Sequence, residues 1–416
     1  MKRISPLLFG LLMIGLVSCN KNDGIDPGEG KSLVLTAAEQ QKVAADNAFT
    51  LKLFKEISAS EGTNNNLFMS PLSVSFAVGM TANGARNETL DAINSTMNYT
   101  GFTQPAVNSY YNKLMTELPG LEPNTQLKIA NSIWYRQGLE VLQPFIDVNT
   151  SSYQAKVQAL DFASPAAQNT INSWVSDKTN GKIPSIVDAI SSESQMFLIN
   201  AIYFKSIWKT KFDAAETKKR TFNLPGSGTV QADFMAGKIN YNNNIITEGG
   251  KTTIIAEFPY AHDRFSMVAI LPDASVSAKE LIASINTDKW NTWMAGLGAQ
   301  KSQVYLPKFK FSYGKSLKDP LINLGMGNAF SDMADFTGIR AAGGLTITDV
   351  KHKAFVDVNE QGTEAAAVTS VEIGTTSAGP IPVLEFNRPF IFVIREMKTG
   401  LVLFAGVVNN PLLGGE

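Results

Sequence analysis

The stretch Glu360-Gln361-Gly362-Thr363-Glu364-Ala365-Ala366-Ala367-Val368-Thr369-Ser370 constrains this chain more than any other part of it. It follows directly on an alternating segment, Val350 to Glu360. There Val350, His352, Ala354, Val356 and Val358 fall on one face, as in a half-buried strand. A strand that runs on into a glycine, a threonine and three alanines carries nothing bulky enough to bar it from a slot between two others. The pattern fits a sheet that lengthens on demand, which is the work of a mechanical device rather than a catalyst. Ala-rich sequence is also a good helix former, so composition alone leaves a helix or a merely flexible loop open.

The rest of the chain supplies a body for such a device. Its 416 residues are 44% hydrophobic and 18% charged, enough for a sizeable core in one large domain or two modest ones. A formal charge of -1 gives no electrostatic case for nucleic acid. The densest basic cluster, Lys218-Lys219-Arg220, reads as a solvated turn.

The single cysteine is Cys19. Met1-Lys2-Arg3 is a positive start, and Leu7 to Val17 is an apolar run too short to span a bilayer as a mature helix. Leu16-Val17-Ser18-Cys19 resembles the lipobox of bacterial lipoproteins, in which the cysteine is lipidated and becomes the new N-terminus. An ordinary signal peptide with an incidental cysteine is the alternative. Acylation with several chains gives a stable anchor. The polar, glycine-containing stretch Asn20 to Lys31 then reads as a tether. The expected organisation is a signal peptide over 1–18, a lipidated N-terminus and flexible tether over 19–36, and one domain over 37–416. The expected site is the bacterial cell envelope, anchored in the outer membrane through the lipid on Cys19 and facing the periplasm or the cell surface; otherwise the protein is extracellular. With Cys19 so used, no disulfide is available.

Ala45, Phe49, Leu53 and Ile57 mark a first amphipathic helix. Ser70-Pro71 and Ser164-Pro165 each read as an N-cap followed by proline in the first turn. The second of these helices carries the stripe Ile171, Trp174, Val175, Lys178 and stops at Asn180-Gly181. Phe265 to Leu271 is a buried strand, and Pro389 to Ile394 with Leu401 to Val408 form a buried hairpin. Helices mixed with antiparallel strands give an α+β class.

Catalytic chemistry has no evident place. There are two histidines, His262 in a turn-like Tyr260-Ala261-His262-Asp263 and His352 on an apolar strand face. No G-x-S-x-G elbow occurs. Gly314-Lys315-Ser316 and Gly250-Lys251-Thr252 lack the earlier glycine of a phosphate loop, having Phe309 and Ile245 there. Metal-ligand spacing is absent, and no cofactor is implied.

Several separate strings resemble the serpins. They are Asn66 to Ser73 (N-L-F-M-S-P-L-S), Asn200 to Lys205 (N-A-I-Y-F-K) with Trp208, and Leu306-Pro307-Lys308-Phe309. Ala334 to Ile339 (A-D-F-T-G-I), His352-Lys353-Ala354, Phe386-Asn387-Arg388-Pro389-Phe390 and Gly406 to Pro411 (G-V-V-N-N-P) complete the set. Their order and spacing span nearly all of residues 37 to 412. The resemblance implies three β-sheets, about eight or nine helices and an exposed reactive loop over about 360–385. It implies no catalytic residue. A target protease cuts that loop and forms an acyl-enzyme, and the cut loop enters the central sheet. Serpins are themselves a known instance of such strand addition and released strain. Roughly fifteen residues at about 3.3 Å each would carry the tethered protease on the order of 50 Å.

The resemblance also assigns roles. Glu360, Gly362, Thr363, Ala365, Ala366 and Ala367 form the hinge. Ser70, Ser73, Asn200 and His352 match a polar cluster beneath the sheet opening, called the shutter; their bland readings are helix caps, a loop asparagine and a satisfied core histidine. Trp208, Lys308 and Glu360 match the breach at the top of the sheet. Counting forward from Glu360 puts the reactive bond at Thr376-Ser377, and counting back from Phe386 puts it at Ala378; Ile373 is a further alternate. No Arg or Lys lies between Glu360 and Arg388. That favours elastase-like or subtilisin-like serine proteases as covalent partners, with papain-like cysteine proteases as an option. A monomer is expected. The competing reading is a non-inhibitory surface binding protein on the same fold.

Overall fold

The structure, a computed structural model, describes residue 28, residues 30–363 and residues 381–414. The chain runs α1 (Ala37–Ser60), β1 (Leu67–Met69), α2 (Pro71–Ala82), α3 (Asn87–Thr96), α4 (Gln104–Glu117), β2 (Thr125–Arg136), α5 (Gln143–Tyr153), β3 (Lys156–Leu160), α6 (Pro165–Lys178) and β4 (Met196–Ile207). It continues with β5 (Lys218–Asn223), β6 (Thr229–Glu248), β7 (Lys251–Pro259), β8 (Phe265–Leu271), α7 (Ala278–Ser284), α8 (Thr287–Ala295), β9 (Gly298–Pro307), β10 (Phe309–Ser316) and α9 (Lys318–Leu321). It closes with β11 (Lys351–Asn359), β12 (Gly362–Thr363), β13 (Val383–Glu385), β14 (Phe390–Glu396) and β15 (Val402–Val408).

Local chemistry sets the helix starts. Thr36 caps α1 in a reciprocal box with Glu39, each side chain accepting the other's backbone N–H. Ser70 caps α2 through the Ser73 N–H, with Pro71 preset for the first turn. Ser164 and Pro165 open α6 the same way. That helix ends before Asn180 and Gly181, both at positive φ. Its buried stripe is Ile171 and Val175, with Trp174 half-buried; Lys178 is exposed, not in the stripe, because an ammonium is too costly to desolvate there. Ahead of α1, Leu33 is fully buried and the Gly30 carbonyl accepts Arg264 Nη2 at 2.6 Å, so the end of the polar N-terminal stretch lies against the body.

The strands form two sheets. The larger, in the order β1-β15-β14-β8-β7-β6-β9-β13 with β5 on β6, is continuous because the twenty-residue β6 serves two neighbourhoods. Its first part pairs with β5 and β9, and its last part with β7. Two of the three expected sheets thus merge along one strand. Every residue of β8, β14 and β15 is buried. The six-stranded sheet has the order β10-β11-β12-β4-β2-β3. Its inner face packs on α2 in the main core. Ile199, Ala201 and Trp134 on its outer face pack with α6 in a second cluster. The Leu306 to Phe309 string spans both sheets, ending β9 and starting β10.

Candidate functional site: a slot between two strands

The site is a seam in the six-stranded sheet. Among the described residues, β11 and β4 share no ladder directly; only the two residues of β12 stand between them, at one end. Thr363 lies opposite Val358 on β11 and Ser206 on β4, and Gly362 opposite Asn359 and Ile207. Gly362 has φ +154°, and a Cβ there would collide with Ser206 O and lie 2.7 Å from Ile207 Cα. Glycine is what lets the backbone enter so tight a junction.

The residues around this entry clamp it. Thr363 is 2% exposed, and its hydroxyl lies 2.6 Å from that of Tyr260. Tyr260 stacks on Trp208 with centroids 4.7 Å apart. Trp208 donates its indole N–H to Asn359 O at 2.9 Å and its backbone N–H to Gln361 O at 2.8 Å. Glu360 accepts from Thr217 Oγ1 at 2.7 Å and meets Lys308 Nζ at 3.0 Å. Burial raises the Glu360 carboxyl, but its own backbone N–H, Thr217 and Lys308 outweigh that and hold it below the usual range. The Lys308 pair is partly exposed and contributes at most about 1 kcal/mol. The structure therefore brings Glu360, Gly362, Thr363, Trp208 and Lys308 together. Ala365, Ala366, Ala367, Ile373, Thr376, Ser377, Ala378 and Cys19 lie outside the described residues.

Midway along the seam the shutter residues converge. Ser70 N–H donates to His352 Nε2 at 3.1 Å, and Ser70 Oγ donates to Leu403 O at 2.8 Å. Ser73 Oγ donates to Asn200 O at 3.4 Å. His352 is 5% exposed, and burial pushes its pKa down to about 4. With Nε2 accepting, the neutral ring carries its proton on Nδ1, which makes it a structural latch rather than a base at neutral pH. Asn200 donates to Asn131 Oδ1 at 2.7 Å, directly across the β4–β2 ladder. Asn131 in turn donates to Tyr153 O at 2.8 Å. Asn200 Oδ1 is buried and has no partner among the described residues.

Sequence reasoning missed Asn131, Thr217 and the role of Tyr260. Asn131 sits unmarked in an alternating strand, and only the register with β4 reveals it. Tyr260 lay in the histidine turn, and its stacking on Trp208 could not be read from spacing. His262 pairs with Glu122, Nδ1 to Oε1 at 2.9 Å. Among the described residues no cluster of three metal-ligating side chains occurs, and no helix is long and apolar enough to cross a membrane.

At the other end of the seam the strands part around a cavity of about 630 Å³. Met196 and Leu198 of β4 line it, with Val78 of α2 and Phe336, Ile339 and Leu345 from the segment before β11. Among the described residues the seam is closed at one end by β12, bridged in the middle by Ser70, Ser73 and His352, and opens at its foot on the cavity.

Residues 44–411 match the family described as Serpin (serine protease inhibitor). The chain belongs to the serpin family. It is 34% identical over 386 residues to Iripin-3 of Ixodes ricinus, covering 91% of this chain and 97% of the relative. To human antithrombin-III it is 33% identical over 401 residues, 92% of this chain and 85% of that one. The native-state structure of tengpin, a thermophilic serpin, is similar with TM-score 0.81 and 33% identity, over 91% of this chain and 96% of that one. Human thyroxine-binding globulin complexed with thyroxine is similar too, with TM-score 0.82 and 27% identity, over 90% and 100% of the chains. The nine helices and mixed sheets of the described residues are the serpin fold, and serpins as a family are serine protease inhibitors.

Proposed function

We propose that this serpin is a suicide-substrate inhibitor. A protease cuts its reactive loop, becomes esterified to it, and is carried down the sheet as the loop inserts between β11 and β4. The observation that carries this reading is β12, two residues paired on both edges at the head of a seam in which, among the described residues, β11 and β4 share no direct ladder.

The register extends the argument. Six residues on from Thr363, Thr369 would fall opposite Asn200 and His352, since six residues back from Ser206 and Val358 lie those two. Thr363, Ala365, Ala367 and Thr369 would share the face that β11 buries with Val358, Val356, Ala354 and His352. All four are small, so they would enter a packed interior where a misfit costs about 1–3 kcal/mol. The Thr369 hydroxyl would reach the level of the unpartnered Asn200 Oδ1. Val371 and Ile373 would come opposite Leu198 and Met196, at the cavity. From Thr363 to a cut after Thr376 is thirteen residues, about 40 Å of travel.

The reactive bond in this account is Thr376-Ser377. The small neutral residues around it fit elastase-like or subtilisin-like serine proteases better than trypsin-like ones, with papain-like enzymes also accommodated. Lipid on Cys19 would hold the inhibitor at a bacterial cell envelope. The test is incubation with pancreatic elastase and with subtilisin, followed by boiling in detergent and intact-mass analysis. An adduct of serpin and protease, less a C-terminal peptide beginning at Ser377, is expected. Clean nicking with the protease fully active would overturn the inhibitory reading and leave a carrier or binder on the same fold.

A further inference from the structure

Strand β13 follows the reactive loop, and its ladder to β9 is short. The two strands run parallel, with Val383 opposite Gln303 and Glu385 opposite Tyr305. Gln303 N–H donates to Pro382 O at 2.8 Å, and Phe386 N–H donates to Tyr305 O at 2.9 Å. In a parallel pair the bonding groups of one strand recur every second residue. The next bond towards the loop would therefore run from the N–H of residue 382 to Lys301 O. Residue 382 is a proline and has no N–H. One bond further on, the donor would be residue 380, and that is a proline too.

Strand β9 itself does not end there. It begins at Gly298 and is paired with β6 along its other edge. Its free edge therefore has room for more strand than β13 uses. On that edge Lys301 O accepts instead from the Gln300 side-chain amide at 3.1 Å. A proline on an edge strand is ordinarily tolerated because its nitrogen faces solvent. The register turns the nitrogen of Pro382 to the neighbouring strand, where it acts as a stop.

We propose that Pro382 is a positioning residue for inhibition. It ends the β13–β9 ladder and so keeps the segment that carries the reactive bond off the sheet edge and open to a protease. This rests on the proposed function, in which the cut falls at Thr376-Ser377. Bonds at positions 382 and 380 would bring the ladder to three residues from Ser377. A protease holds its substrate extended in its own cleft, and a segment zipped onto β9 is not free to enter one.

The test compares the full-length protein with Pro382→Val and with Pro380→Val/Pro382→Val. Amide hydrogen exchange, read by mass spectrometry, judges the stop. The new amide at position 382 should exchange at least about tenfold more slowly than an unpaired one. Association with pancreatic elastase and with subtilisin should slow, about fivefold in the single variant and about tenfold or more in the double, because one or two bonds must reopen before cleavage. The serpin consumed per protease and the melting point should not move, since neither insertion nor the core is touched. A third variant, Ile381→Pro/Pro382→Val, keeps a proline but moves it to a residue whose N–H faces away from β9, and it should remain slow. An unprotected amide at 382 overturns the ladder stop. A protected amide with unchanged association overturns its bearing on the reactive bond. Fast association in the third variant would assign the effect to proline stiffness and overturn the donor argument. Absence of inhibition by the unaltered protein instead indicts the proposed function, while the exchange measurement still judges the stop.

Discussion

The two sheets of this molecule solve opposite problems. In the nine-stranded sheet, β8, β14 and β15 are buried along their whole length and paired on both edges. The buried Arg395 is met by Glu257, with Nη2 to Oε1 at 2.6 Å, and Glu257 is further bonded by Ser266 and Asn242. Among the described residues, no buried side-chain nitrogen or oxygen on β7, β8, β14 or β15 lacks a partner. In the six-stranded sheet, among the described residues, two strands share no direct ladder, a neutral histidine and two serines bridge the seam, and Asn200 Oδ1 has no partner. The first sheet is a frame with its bonds made. In the second, among the described residues, β11 and β4 are joined only through the two residues of β12. In the proposed function the loop that follows β12 would supply the missing strand, and the intact form would hold strain until it does.

Mutations at the two sheets should therefore fail differently. The largest effect is expected from Ala367→Arg, since Thr363 is already buried in the intact seam. Inserting that side chain buries a charge at several kcal/mol, which should raise the serpin consumed per protease at least about tenfold while the intact melting point barely moves. Retained trapping would break the contrast. In the frame, Phe392→Ala removes a fully buried ring stacked 5.5 Å from Phe68 and tilted against Phe309 at 5.0 Å. It should cost about 3–5 kcal/mol of stability by urea unfolding and leave the stoichiometry of inhibition unchanged.

Acid should act on the seam before the frame. The unfolded chain takes up the histidine proton near 6.5, whereas buried His352 does so only at about 4. The unfolded state thus gains a proton first as pH falls. Stability is full above pH 6.5 and declines between 6.5 and 4, by about 3 kcal/mol in all. Urea midpoints at pH 7.5 and 4.5 should differ more for the unaltered protein than for His352→Gln; equal differences would remove His352 from the account. The smallest effect sharpens the register. Thr369→Val should leave the intact protein's stability alone and cost the nicked form about 1 kcal/mol. An equal effect on both forms would mean that Thr369 does not reach Asn200 on insertion.

Much of this was legible in the chain itself. Ser70-Pro71 and Ser164-Pro165 announced helix starts because capping is local chemistry, and the alternation from Val350 to Val358 gave the inner face of β11. Glu360 and Lys308 meet at 3.0 Å, as the family strings implied. The merging of two sheets along β6 was not legible, because a twenty-residue strand shared among neighbours is a property of tertiary pairing. Asn131 escaped for the same reason: its partner Asn200 is distant in sequence and adjacent only through register. The cavity escaped because a space between side chains leaves no trace in residue order.

The central claim is that the intact molecule holds back a strand from its own sheet. Nicking the loop with a trace of subtilisin, removing the protease and comparing thermal unfolding of the nicked and intact forms tests it most directly. The account predicts that the nicked form melts well above the intact one, because insertion completes the β11–β4 seam. Unfolding at the same temperature before and after the cut would contradict it.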